Sequence, residues 1–138
     1  MTSDGPKPGK LIDIATEAQF DSLVRQKHAV VLIFAEWTPQ LESIVSLLED
    51  WVDTSFGDDA PRGTEISRVA PWGFSCAHNW IYDQKPLQFR NSDGNLTCLA
   101  AMGTLVWLSS GTVVDVERKI LDRSLNDLSS RTRRAFRV

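Results

Sequence analysis

An α/β fold, with a central β-sheet flanked by helices, is predicted for this 138-residue chain by three observations. Residues 29–35 form a short, continuous, β-rich apolar run, the pattern of a strand buried on both faces. That run feeds directly into a segment where Leu41, Ile44, Val45, Leu48 and Val52 recur at helical spacing. Later, two β-rich stretches flank Ser109, Ser110 and Gly111, as in an antiparallel hairpin.

The elements follow in order. Residues 1–9 hold two prolines and two glycines and no apolar period, so they are expected to be a flexible leader before a single domain spanning 10–138. Leu11 to Ile14 reads as a strand, and Thr16 as the cap of a helix with Phe20, Leu23 and Val24 on one face. After the buried strand, Thr38 is placed to N-cap the second helix and Pro39 to occupy its first position, with the helix running as far as Gly57. From Gly57 to Asn95 Gly, Pro and Asp interrupt the pattern. Glu65 to Ala70 is a strand candidate there, and His78 to Arg90 a helix candidate broken at Pro86. Residues 103–108 and 112–116 form the hairpin, and from about Asp122 a last helix carries Leu125, Leu128 and Phe136. No internal repeat or low-complexity segment is present.

Composition narrows the function classes. Hydrophobic residues are 42% and charged residues 24%, and the net charge of -3 is too small to steer a partner strongly. The apolar run at 29–35 falls far short of the roughly 20 residues a membrane span requires. The N-terminus lacks the regions of a secretory signal, and Thr2 stands where myristoylation needs glycine. Cys76 and Cys98 are too few for a disulfide framework and fit a reducing compartment, so a cytoplasmic protein without membrane attachment is expected.

Two stretches carry a resemblance. Residues 31–41, Val-Leu-Ile-Phe-Ala-Glu-Trp-Thr-Pro-Gln-Leu, resemble the thioredoxin strand and active-site turn, in which Ala-Glu-Trp leads into Cys-Gly-Pro-Cys. Residues 102–113, Met-Gly-Thr-Leu-Val-Trp-Leu-Ser-Ser-Gly-Thr-Val, resemble that family's cis-Pro-Thr-Leu strand and following turn. The turn from Trp37 to Gln40 is also similar to that of the thioredoxin-like domain preceding monothiol glutaredoxin modules, with Leu41 in place of the final cysteine. The resemblance covers roughly residues 10–57 and 100–136 and implies a thioredoxin-like three-layer sandwich around a mixed sheet, with an enlarged irregular middle.

It also implies what chemistry is missing. Thioredoxin-type exchange needs a thiolate activated at a helix N-terminus and a second thiol to resolve the mixed disulfide. Thr38 and Leu41 occupy those positions, Leu32 replaces the buried acid, and Gly103 replaces the cis-proline. The expectation is a redox-inactive, non-enzymatic member that binds a protein segment along the former groove: Trp37, Thr38, Pro39, Gln40, Met102, Gly103 and Thr104. Trp37 is its first aromatic anchor, since the family keeps this ring partly exposed. Trp72 and Phe74 are a second candidate anchor, and the other tryptophans are assigned mostly to the core.

Two alternatives remain. Seven basic residues follow Glu117, and this basic C-terminal end could contact nucleic acid as part of a ribonucleoprotein or other large assembly, against the plainer reading of cations at a helix C-terminus. Cys98, five positions before Gly103, is a candidate accessible thiol for an atypical thiol oxidoreductase. The cysteines lie 22 positions apart and otherwise read as small hydrophobes. His28, Cys76, His78 and Cys98 lack paired zinc spacing, no phosphate or dinucleotide loop is present, and neither metal nor cofactor is expected.

Overall fold

The computed structural model describes residues 11–56, 60–61, 64–74, 78–90, 93–94, 96–98 and 103–137. The leader expected at residues 1–9 lies outside them. Their centre is a five-stranded sheet in the order β1, β3, β2, β6, β7, formed by Ile12–Ile14, Glu65–Trp72, His28–Ala35, Thr104–Ser109 and Thr112–Glu117. The first three strands are parallel and the last two antiparallel to their neighbours, so the sheet is mixed. A separate two-stranded ladder pairs β4, Gln88–Arg90, with β5, Leu96–Cys98.

β2 is central because it is apolar on both sides. Val30, Leu32 and Phe34 face one core, shared with Leu105 and Trp107 of β6; Val31 and Ile33 face another, shared with Val106 and Leu108. Side chains alternate across a strand, so a run without polar residues can only be satisfied by cover on both faces.

The first face is covered by α2, Leu41–Trp51, and α3, Leu125–Phe136. Ile44, Leu48 and Trp51 recur at helical spacing on α2 and are buried. Two indole N–H groups, which could not be left unpaired in a core, lie there satisfied: Trp51 Nε1 donates to Ser129 Oγ at 3.2 Å, and Trp107 Nε1 to Thr132 Oγ1 at 3.0 Å. α3 is started by a capping box between Ser124 and Asp127.

α1, Glu17–Val24, lies on the second face and buries Phe20 and Leu23; Thr16 caps it, as its sequence predicts, through a capping box with Gln19. The remaining cover on that face departs from the helix expected over residues 78–90. Two 3₁₀ turns stand there, Asn79–Asp83 and Lys85–Leu87, followed by β4. Pro86 has no N–H to give a helix, and apolar side chains do not recur at its period; each turn instead buries one anchor, Ile81 and Leu87. Buried Gln84 links this segment to α1 by donating to Glu17 Oε2 at 3.1 Å.

Other boundaries shift. α2 ends at Trp51 and continues as a π turn over Val52–Phe56. The α2 start also differs: Gln40, left-handed at φ 58°, is the N-cap, and the helix begins at Leu41 instead of Pro39. The hairpin turn matches its prediction. Ser110 and Gly111 both have positive φ, 49° and 80°, the twist a two-residue hairpin prefers, and Ser110 N–H donates to Lys27 O at 2.9 Å.

Candidate binding groove

β2 ends where its register with β3 breaks between Ile33 and Ala35, and the chain turns toward α2. Thr38 holds this turn instead of capping the helix. Its hydroxyl accepts from Ala35 N–H at 2.9 Å and donates to Ala35 O at 2.7 Å, while its own N–H donates to the same carbonyl at 2.9 Å. The side chain is consequently buried, with its proton committed to a backbone acceptor.

Gly103 approaches this turn from the start of β6. It has φ 70°, a conformation an L side chain resists, and a Cβ built there would lie 3.5 Å from both Thr38 Cγ2 and Ile44 Cδ1. The two positions that the resemblance pairs are thus neighbours in space. No cis peptide bond occurs among the described residues.

A groove of about 310 Å³ opens here, lined by Thr38, Pro39, Gln40, Ile44 and Gly103 on one side and by the segment from Arg118 to Asp122 on the other. Nothing in the sequence predicts that second wall. It is pinned from beneath by Glu117, only 5% exposed, whose carboxylate accepts from Lys119 N–H at 2.8 Å, Arg123 Nε at 2.6 Å and Arg131 Nη1 at 2.5 Å. Burial alone would push the Glu117 carboxyl up, but these donors outweigh it and hold it below its ordinary range. Arg131 also grips Asp115 through two bonds of 2.7 and 2.8 Å and lies over the Trp107 ring at 5.3 Å. Burial likewise opposes the Asp115 charge, and the Arg131 bonds prevail, lowering its pKa. Two cations of the basic C-terminal end, Arg123 and Arg131, therefore serve internal ion pairs, while Arg118 and Lys119 face the groove.

The remaining predicted residues divide. Trp37 is 49% exposed, outside the groove lining but next to Thr38 in the chain, and its ring meets that of Phe74, 79% exposed, edge-on at 5.5 Å. Phe74 N–H donates to Glu36 Oε1 at 2.8 Å, which ties the chain after β3 to the β2–α2 turn. Trp72 belongs to β3 and donates to the Tyr82 hydroxyl at 2.7 Å. Trp51 and Trp107 are buried, and Trp80 is half-buried against Phe20. Thr104 is fully buried on the second face, behind the groove, and its hydroxyl has no hydrogen-bond partner among the described residues. Leu32 is fully buried in the first core and Leu41 packs at its margin. Met102 and Cys76 lie outside the described residues, and Cys98 ends β5 opposite Gln88. His28 opens β2 and His78 precedes the first 3₁₀ turn.

No helix among the described residues is long and apolar enough to cross a membrane. The sequence matches no protein-family model and no curated protein. Among solved structures, a mutant thioredoxin from Halobacterium salinarum superposes with a TM-score of 0.63 at 8% identity, covering 98% of each chain. Oxidised thioredoxin from Plasmodium falciparum gives 0.61 at 16% identity, over 88% of this chain and 97% of its own. Human ERp44 form I gives 0.61 at 14% identity, over 94% of this chain and 30% of its own. At these identities the likeness concerns the backbone, and it agrees with the strand order and the Thr38–Gly103 neighbourhood: the chain has the thioredoxin fold.

Proposed function

We propose that this chain is a redox-inactive thioredoxin-like adaptor that binds a protein segment in the groove between the Thr38 turn and residues 118–122. The observation that carries this reading is the exposed Trp37–Phe74 pair beside the groove. Two large aromatic rings are held there against each other, although burial elsewhere in the chain would be favourable, and aromatic anchors dominate interface energetics. Arg118 and Lys119 outnumber Asp122 on the opposite wall, a net positive charge that favours a segment with acidic side chains. The Thr38 hydroxyl, occupied on both its donor and acceptor sides, supports the absence of thiol-type exchange at this position. A cytoplasmic setting is part of the proposal.

A photo-crosslinker at exposed Gln40 should trap a specific partner, one at Ser22 on α1 should not, and Trp37→Ala should weaken the complex by more than about 1 kcal/mol. Equal trapping at both positions would reject the groove. Insulin reduction above that of a Cys76→Ser, Cys98→Ser variant would reject redox inactivity.

A further inference from the structure

A second cleft, of about 680 Å³, opens at the other end of the sheet, where His28 begins β2 and Ser109 ends β6. With about 3.3 Å of rise per strand residue, the length of β2 places it roughly 20 Å from the Thr38 turn. Its walls include His28, Asp115, Arg134, Phe136 and Arg137. Among the described residues the only acidic side chain lining it, Asp115, is already neutralised by two bonds from Arg131. Arg134 and Arg137 make no close ion pair among the described residues, although the Arg134 charge acts on Asp115 from farther away. Two guanidinium charges exceed the roughly half negative charge at a helix C-terminus, so the cleft is left cationic.

The backbone adds a second, independent sign. Arg137 caps α3 in the left-handed conformation, φ 57°, where glycine is the favoured residue. A non-glycine residue in that conformation on the wall of a cleft motivates a role for its side chain. The cleft is also far larger than one phosphate ion and lies in the size range of small-molecule sites.

We propose that this cleft binds a small organic phosphate monoester, with Arg134 and Arg137 gripping the dianion and the His28 imidazole contacting it from the strand side. A monoester carries about -1.5 to -2 charge at neutral pH, which matches two guanidinium groups better than a monocarboxylate does. His28 is held by the edge of the Phe136 ring, 4.7 Å between centroids, which fixes its orientation. Unliganded, burial first and Lys27 second depress its pKa; Arg134 and Arg137 face it from α3 and Asp115 from β7. A bound dianion reverses that balance, so ligand binding should carry a proton onto His28 above about pH 6, the second pKa of the monoester, below which the dianion itself is lost.

With only two histidines in the chain, the His28 imidazole signal can be followed by NMR during titration with ribose 5-phosphate. The expected result is a saturable shift at millimolar ligand or below, absent with ribose, together with a raised His28 pKa in the complex. Arg134→Gln should weaken binding at least tenfold. Arg137→Gly should weaken it similarly while leaving the melting temperature unchanged or higher, because glycine relieves the backbone. No shift beyond that produced by sodium chloride at equal ionic strength would overturn the site. Binding of inorganic phosphate as tight as ribose 5-phosphate would overturn the organic ligand. Full affinity in both arginine variants would overturn the assignment of residues.

Discussion

The two faces of the central sheet bury apolar residues equally well but are built differently. On one, α2 and α3 present Ile44, Leu48, Trp51 and Leu128 at helical spacing, and the indoles of Trp51 on α2 and Trp107 on β6 donate to hydroxyls of α3. On the other, α1 covers only part of the area, and two 3₁₀ turns insert Ile81 and Leu87 singly. A regular helix distributes its burial along a repeat, whereas a short turn depends on one anchor and on local links such as Gln84 to Glu17. The first construction announces itself in a sequence; the second does not.

Substitutions can break this comparison, beginning with the largest effect. Leu48→Ala, deleting a fully buried side chain between two regular helices, should cost about 2 to 5 kcal/mol, since neither helix can collapse into the void. Ile81→Ala, equally buried, should fall near the lower end, about 2 kcal/mol, because a 3₁₀ turn can settle inward. Chemical denaturation of both variants checks the order, and a greater loss at Ile81 would show the turn face to be the more rigid.

Glu117→Ala should cost about 1 to 3 kcal/mol, discounted because Arg123 and Arg131 keep some access to water. It should also loosen residues 118–122, measurable as faster amide exchange at Lys119. The same group sets an acid limit. Asp115 and Glu117 have pKa values lowered by folding, so the unfolded chain takes up protons first. Their stabilisation is present above their unfolded values of about 4 and fades as the pH falls through the folded ones. The dependence of melting temperature on pH between neutral and acid conditions should therefore flatten in Glu117→Ala. Ser129→Ala, which leaves the Trp51 indole N–H unpaired, should cost about 1 kcal/mol. Trp37→Ala should change stability by no more than about 0.5 kcal/mol, which separates its proposed binding role from a structural one.

Part of the candidate groove is legible in the sequence. Thr38, Pro39, Gln40 and Gly103 come from the two stretches of resemblance and line it, with Thr38 and Gly103 in contact range, whereas Trp37 and Thr104 fall outside its lining. Thr38 reads as a cap because a Ser or Thr before Pro and an apolar period is the usual helix-start pattern; its hydroxyl instead closes onto Ala35, and Gln40 takes the left-handed turn. The wall from Arg118 to Asp122 carries no motif, and the exposed Phe74 reaches Trp37 only because β3 runs beside β2. The basic end looks like one electrostatic feature, yet it divides among ion pairs at Glu117, the groove, and the far cleft.

Sequence by itself determined the elements whose information is local: the two-sided burial of β2, the α2 stripe, the Thr16 cap, and the hairpin turn at Ser110 and Gly111. Tertiary structure alone decided which distant groups meet. Whether Arg131 is a free cation or the partner of Asp115 and Glu117 depends on α3 lying over β7, and whether residues 78–90 form a helix or two turns depends on where the second face needs apolar cover. Propensity acts over a few neighbouring residues, while burial and charge pairing are settled only by what the sheet brings alongside.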